Sequence, residues 1–511
     1  MKKLRKDNLE LLAVIVFIFA ATFVLLLKSP LNFWLRGDAE TDSSVYKTVA
    51  FMMNKGYMPY RDSFDHKGPL TYLVNLLGMQ FDEYCGVWIM EFITVFATFA
   101  GIYKIARLRC NKIFSCLCIL ICGSLLYDYF EGGNMVEEYA MPFIAVSLYI
   151  FLDYFLNLKI SKLRLAVCGG CLGAVFLLRP NMISVWMVFA IAVLIDCIIK
   201  KKNADLLKFI VFFLIGFVVV TLPVFIWLAA NGCFGAFIEN YIQFNVVYSS
   251  AKGAGDKWNA YFYFINKTLI IFALLIMGYI CSIKCEFIAK DKTAIKDKFT
   301  IDTGFLYVTY LIYLLVTILL IAMSGMPYAH YGMILVPAIA FPMAELFALT
   351  GLKNNGNATT LLIILYMVGA IAMPKWLTTS GDMVNKYNDR AVDHHSDMVK
   401  GVCELVGENT NEDERISVYG NGDIIYLVSN RLHATRYSYQ FPIGEIAPAM
   451  MDEYFEELEN ELPPVIVIWE RQADERIESF LNENNYTEIS DSSSYDIGKS
   501  RVFLISRRNF G

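Results

Sequence analysis

Charged residues are scarce in this chain: Asp, Glu, Lys and Arg make up 18% of its 511 residues, while 57% are hydrophobic. With 15% aromatics and a mean hydropathy of +0.47, this excludes an ordinary soluble protein. A signal-peptide cleavage site is also missing. About nineteen apolar residues from Leu9 to Leu27 run into KSPLNFW with no small-residue cleavage signature, so they read as an uncleaved first span. Paired cysteines are absent where they would matter. Of the 12 cysteines, the tail holds only Cys403, which excludes a disulfide-stapled tail. Cys110, Cys116, Cys118, Cys122, Cys168, Cys171, Cys197 and Cys281 lie in or beside apolar runs, where they act as small hydrophobes. No internal repeat or low-complexity segment is present. The net charge of -5 averages a basic face with an acidic tail and does not itself speak for or against nucleic acid.

Long apolar runs are what the chain does have. They predict an α-helical polytopic membrane protein with about eleven spans, each able to cross about 30 Å of hydrocarbon. The spans fall near 9–27, 85–106, 113–130, 138–157, 163–179, 182–199, 207–230, 266–283, 304–323, 331–350 and 359–374. Under this count MKKLRK, KIARLRCNK (104–112), LKISKLR (158–164), KKK (200–202) and KCEFIAKDKTAIKDK (284–298) share one side. The positive-inside rule makes that side, with the N-terminus, cytoplasmic. Loops 28–84, 128–138, 231–265 and 324–330 then face outward, with everything after Pro374. Leu70–Gly78 is too short to span, and counting it would invert every later loop; it reads as re-entrant or interfacial. Ser43–Lys55 reads as a helix on the membrane surface, with Val45, Val49, Met52 and Met53 on one face.

Two domains follow: a membrane domain over 1–374, and an extracytoplasmic α/β domain over 375–511. In the latter, RISVYG (415–420), PVIVIW (464–469) and VFLIS (502–506) read as strands and MMDEYFEELENEL (450–462) as an amphipathic helix. The tail's YGNGDIIY (419–426) reads as a turn into a helix. It lacks the third glycine of a dinucleotide fingerprint.

Chemistry concentrates in the first outward loop. Acids crowd it at Asp38, Glu40, Asp42, Asp62 and Asp65, and YRDSFDHKGP (60–69) leads straight into an apolar run. A second cluster lies in YDYFEGGNMVEEYAMP (127–142), where Glu138 is the favoured acid and Asn134 its hydrogen-bonding partner. LLRPNM (177–182) places Arg179 at an outer span end, where it either snorkels or meets phosphate. SGMPYAHYGMILVP (324–337) sets His330 beside Tyr328 and Tyr331 on the same side. The aromatics of GDKWNAYFYF (255–264) read as a loop in an interfacial belt.

The run Asp42, Tyr46, Gly56, Pro59-Tyr60-Arg61-Asp62, Asp65-His66-Lys67 and Pro69 resembles the first external loop of the polytopic C-type glycosyltransferases. The branch resembled includes protein mannosyltransferases and lipid A aminoarabinose transferases. His330-Tyr331 with Pro337 is similar to another element of that branch. The resemblance implies transfer of a sugar from a polyprenyl-phosphate carrier to a glycan, lipid or protein acceptor outside a plasma membrane. It implies Asp42 as the base that activates the acceptor hydroxyl. Lys67 and Arg61 suit the departing phosphate chemically, with Arg179 a further candidate. Two readings of Asp65 and His66 stay open. They hold Lys67 by hydrogen bonds, or they bind a divalent metal with His330. No nucleic-acid partner is expected. A multi-span transporter or flippase is the alternative, although it would carry ionisable residues at mid-membrane, and the charge clusters here sit at the outer interface. A ligase or polymerase of lipid-linked glycans would share the donor chemistry.

Overall fold

The computed structural model describes residues 2–37, 41–82, 85–157, 161–289, 301–348, 373, 375–378, 381, 395–490 and 495–506. Its helices begin with α1 (Lys2–Leu26), α2 (Thr41–Asn54), α3 (Pro69–Phe81), α4 (Gly86–Ala106), α5 (Lys112–Tyr129), α6 (Val136–Asn157) and α7 (Lys162–Phe176). They continue with α8 (Ser184–Ile199), α9 (Asn203–Ala230), α10 (Phe234–Phe237), α11 (Phe244–Ala251), α12 (Ala254–Ala289), α13 (Ile301–Ala322) and α14 (Val336–Ala348). The chain forms two compact units. One comprises Met1–Lys28, Met90–Val224 and Lys252–Lys386; the other comprises Ser29–Ile89, Phe225–Ala251 and Tyr387–Gly511.

Among the described residues, 8 helices are long and apolar enough to cross a membrane. This is a multi-pass membrane protein. Only 17% of the apolar window of α9 is covered by protein, against 94% for Ala329–Ala348, so the first faces lipid and the second is the centre of the bundle. Two predicted spans are shorter than expected. α7 has 15 residues and α8 has 16, roughly 22–24 Å of helix. The reason lies in LLRPNM: Arg179 is extended, and Pro180 opens a 3₁₀ turn over Pro180–Met182 in place of a further α turn. The aromatic stretch 255–264, expected as a loop, is the first part of α12. The expected span 359–374, Asp38 and Glu40, and most of the basic loop 284–298 lie outside the described residues, Met373 excepted.

Side-chain pairs mark the two ends of the bundle. At one end Arg109 Nε lies 2.6 Å from Glu345, Arg164 pairs with Asp153, and Lys112 pairs with Glu10. At the other, Lys28 donates to the Tyr127 and Phe130 carbonyls at 2.9 Å each. Arg109, Lys112 and Arg164, from the basic clusters at 104–112 and 158–164, thus share an end.

In the second unit, β1 (Ser417–Tyr419), β2 (Val465–Ile468), β3 (Tyr486–Glu488) and β4 (Arg501–Ile505) form a sheet in the order β1-β2-β4-β3. β1 and β2 are parallel, while β4 is antiparallel to both its neighbours, with Val467 opposite Val502. Three of these strands were legible as apolar runs; β3 was not, and its Thr487 and Glu488 are exposed. Helices α15 (Asp397–Asn409) and α16 (Ile424–Ser429) bury Val402, Val406 and Ile425 on the sheet face carrying Val418, Val465 and Val467. α17 (Ile443–Ile446), α18 (Pro448–Glu461) and α19 (Glu475–Glu483) complete the unit. α2 forms where a surface helix was expected, but α3 and α16 both pack on it, so Ser43, Ser44, Lys47 and Thr48 on its polar side are buried.

α7 and α9 approach closely through glycines. A Cβ at Gly169 would run into the Phe213 carbonyl, and one at Gly216 into the Ala166 carbonyl. Such small-residue contacts let membrane helices associate without a hydrophobic drive. Gly169→Leu is expected to destabilise the protein by about 1–3 kcal/mol. In thermal unfolding of detergent-solubilised protein, it should melt several degrees below wild type.

Candidate functional site

The site in the second unit starts from Asp65. Its carboxylate is 2% exposed and collects several donors. Oδ1 accepts from the His66 backbone N at 2.7 Å and from Tyr439 OH at 2.9 Å; Oδ2 accepts from Tyr72 OH at 2.9 Å. Burial pushes the carboxyl above its ordinary range, and the Lys67 charge together with these hydrogen bonds pulls it back. The loop around it is strained and braced. Tyr60, fully buried, has φ +69, and its hydroxyl donates to the Lys67 carbonyl at 2.8 Å. Its ring meets Tyr72 and Phe237 edge-on. Phe64 N donates to the Arg436 carbonyl at 2.7 Å, and Ser63 Oγ lies 3.2 Å from His433 Nε2.

His66 is held by Tyr248, stacked at 5.5 Å between centroids, and by Asn245 donating to its carbonyl at 2.7 Å. Its Nε2 lies 3.1 Å from Lys67 Nζ. An ammonium has only donors, so Nε2 accepts and the ring proton sits on Nδ1, towards Asp65 and Tyr439. Lys67 Nζ also sits 5.6 Å from the Tyr46 ring centroid and 4.0 Å from Asp42 Oδ2. Asp42 lies in the first turn of α2, accepts from Tyr46 OH at 3.1 Å, and has a side chain 43% exposed. The outcome is a half-exposed carboxylate beside an almost buried, oriented ammonium.

The alternative reading of Asp65, His66 and His330 as metal ligands gains no support from the geometry. Among the described residues no group of three or more His, Cys, Asp and Glu side chains gathers to hold a metal ion. Asp65 already serves three donors, and a cation at His66 Nε2 would meet the Lys67 charge. Arg61 is likewise engaged elsewhere. It makes a bidentate pair with Asp62 at 2.8 and 2.7 Å and donates to the Asn231 carbonyl at 3.0 Å. Adjacency in sequence makes that fork–carboxylate pair easy to form, and it holds the Asp62 carboxyl below its ordinary range.

One acid was not singled out from sequence. Asp423, between the GNG turn and α16, is 1% exposed, and among the described residues neither carboxylate oxygen has a hydrogen-bond partner. The turn is specific: Gly420 has φ +115, and a Cβ there would strike Gln472, whose side chain accepts from Asn421 N. Asp423 is anchored by its own carbonyl, which accepts from Thr48 Oγ1 on α2 at 3.3 Å. Burial, with Asp65 and Asp42 nearby, lifts its carboxyl to about 7; the Ser438 hydroxyl lies towards it without reaching hydrogen-bond geometry.

The remaining sequence candidates meet in the first unit. Arg179 Nη1 lies 2.5 Å from Glu137 Oε1, and its guanidinium 4.3 Å from the Tyr331 ring centroid. His330 Nδ1 lies 2.6 Å from Glu131 Oε2, which holds the Glu131 carboxyl below its ordinary range. Asn134, at φ +57, donates its N–H to Glu91 at 2.7 Å and accepts from Tyr139 OH at 2.6 Å. Glu138 is fully buried beside Glu91, and among the described residues neither of its side-chain oxygens has a hydrogen-bond partner. Glu91, inside an apolar run, carried no local signal.

The chain matches a family model described as "Putative competence-induced protein Ccs4 N-terminal domain" over residues 2–359. It belongs to that family. No curated protein matches the chain by sequence. Among solved structures, this family member is similar to ArnT from Cupriavidus metallidurans in the apo state. The TM-score is 0.58 at 11% identity, covering 99% of this chain and 100% of that one. The same protein bound to undecaprenyl phosphate gives a TM-score of 0.59 at 11% identity, covering 98% and 99%. The archaeal oligosaccharyltransferase AglB from Archaeoglobus fulgidus, in complex with an inhibitory peptide and a dolichol-phosphate, gives 0.51 at 12% identity, covering 99% and 75%. The chain has the C-type glycosyltransferase fold.

The raised Asp423 carboxyl has a defined consequence for stability. Its folded pKa exceeds the ordinary 3.8, so the folded state binds the proton more tightly than the unfolded one. Stability contributed by this group therefore falls as pH rises from 3.8 to about 7, then stays level. Asp423→Asn removes the penalty. Its melting temperature should pull ahead of wild type across that window and keep a constant lead above it.

Proposed function

We propose that this chain is a membrane glycosyltransferase that moves a sugar from a polyprenyl-phosphate-linked donor to an extracytoplasmic acceptor. The reading rests on one observation: a half-exposed Asp42 carboxylate lies 4.0 Å from a Lys67 ammonium held in place by His66. The fold supports it, since solved proteins of the same fold carry undecaprenyl phosphate and a dolichol-phosphate. The basic end of the bundle is the cytoplasmic one on this reading, and the tail lies outside.

The chemistry balances with these two side chains. The acceptor O–H loses its proton to Asp42, and its oxygen forms a bond to the anomeric carbon. The bond from that carbon to the donor phosphate oxygen breaks, and its electron pair stays on the phosphate, against Lys67. His66 fixes the direction of the ammonium. Arg179 and His330 are proposed as secondary contacts for lipid phosphate or acceptor, with Glu138 as the second acid.

Purified full-length protein, given a mixture of polyprenyl-phosphoryl sugars, should transfer one of them. Asp42→Asn should lower kcat by about 10²–10⁴-fold while leaving the fold and carrier binding intact. Lys67→Ala should weaken carrier binding as well as kcat. A wild-type protein inert with every such donor would overturn the reading and favour transport; an Asp42→Asn variant as active as wild type would move the base to another acid.

A further inference from the structure

Among the described residues the Asp423 carboxylate has no hydrogen-bond partner. The residue sits where an aspartate commonly caps a helix, yet its side chain makes no capping bond. Both oxygens are buried and unbonded, and so are Ser438 Oγ and Asn421 Oδ1 on either side of it in the chain. A buried polar atom without a partner is strongly unfavourable, and in a native protein it calls for an explanation. The carboxylate interacts electrostatically with Asp42, Asp65 and the Tyr439 hydroxyl, so it faces the site built on the first loop.

The surroundings define what would satisfy it. Asp42, Asp65 and Asp423 are acids and Lys67 is the ammonium among them, so a second anion is disfavoured beside Asp423. Metal is disfavoured too, since these acids do not gather into a metal-binding group. An apolar group would leave the carboxylate as it is. A ligand part rich in O–H donors fits, and two neighbouring hydroxyls match the two oxygens of one carboxylate. We infer that Asp423, with Ser438 beside it, is a sugar-binding position that takes a vicinal diol of the transferred sugar or of the acceptor. This rests on the transferase reading and adds a tail residue to its site. Because the carboxylate is 1% exposed, admission of the sugar has to open its cover.

The test uses the full-length protein in nanodiscs. Affinities are measured for undecaprenyl phosphate alone and for undecaprenyl-phosphoryl glucose, galactose, mannose and arabinose, with wild type, Asp423→Ala and Asp423→Asn. Wild type should bind one sugar-bearing lipid more tightly than the bare carrier. Both variants should lose that preference by about tenfold to a hundredfold, with bare-carrier affinity unchanged and melting temperature no lower. That result assigns the diol to the donor. An unchanged preference with an acceptor KM raised by a similar factor at constant kcat assigns it to the acceptor. If neither changes, Asp423 does not bind sugar, and the transferase reading stands without it. Variants that melt earlier and lose the bare carrier as well would show a structural role and overturn the inference. A wild type that binds no polyprenyl phosphate overturns both readings together.

Discussion

The buried Asp65 carboxylate has to be hydrogen-bonded, and meeting that demand organises the second unit. An isolated charge in such a place would be strongly unfavourable. Its donors come from both ends of the chain: Tyr72 from α3 and Tyr439 from the tail, 374 residues away. Once these hydroxyls are committed, the loop cannot leave the tail without exposing three polar groups at once. The same geometry turns the His66 ring, and the ring turns Lys67 towards Asp42. A charged pair on a surface loop would ordinarily sample many positions; here its orientation derives from a buried acid that accepts three hydrogen bonds.

The membrane unit follows a different logic. Lipid offers nothing to an unpaired polar group, and the bundle pairs several of its ionisable residues at its ends. Arg109 with Glu345 and Arg164 with Asp153 serve one end, Arg179 with Glu137 the other. Between them, close helix contacts depend on small residues such as Gly169 and Gly216. The break at Arg179-Pro180 belongs to this scheme: ending α7 early leaves its terminal arginine beside Glu137 and Tyr331.

What was legible in the sequence was whatever depends on local pattern. Apolar runs marked the long helices and three of the four strands, and the motif from Asp42 to Lys67 drew attention to the first outward loop. What was not legible depends on distant closure. Nothing around Asp423 marks it as special; it becomes so only when α16 packs on α2 and the Asp423 carbonyl meets Thr48. Tyr439 was one of several tyrosines in a polar stretch. Arg61 shows the same limit from the other side: its type suits phosphate, and only the structure shows that its fork pairs with its own neighbour Asp62. The expected spans 163–179 and 182–199 overran α7 and α8 by a few residues at the ends that face Pro180, because hydropathy persists through Leu177, Leu178 and Met182 while the backbone leaves the α conformation there.

On the transferase reading, the surplus of acid around a single ammonium becomes intelligible as a matter of where charge moves. Before transfer, Asp42 carries a negative charge and the donor phosphodiester another. After it, Asp42 is protonated, and the released phosphate monoester carries one more charge than the diester did. The net charge of the site is unchanged, and one negative charge has passed from the carboxylate to the phosphate. Asp42 starts at 4.0 Å from Lys67, and a phosphate oxygen bonded to the ammonium would sit closer, at about 2.8 Å. Coulomb attraction to a fixed cation therefore grows as the reaction proceeds, and the gain is realised without moving the cation. A lysine free to follow the carboxylate would lose that advantage. Holding Lys67 still is the contribution of His66, and holding His66 still is that of Asp65, Tyr439 and Tyr248.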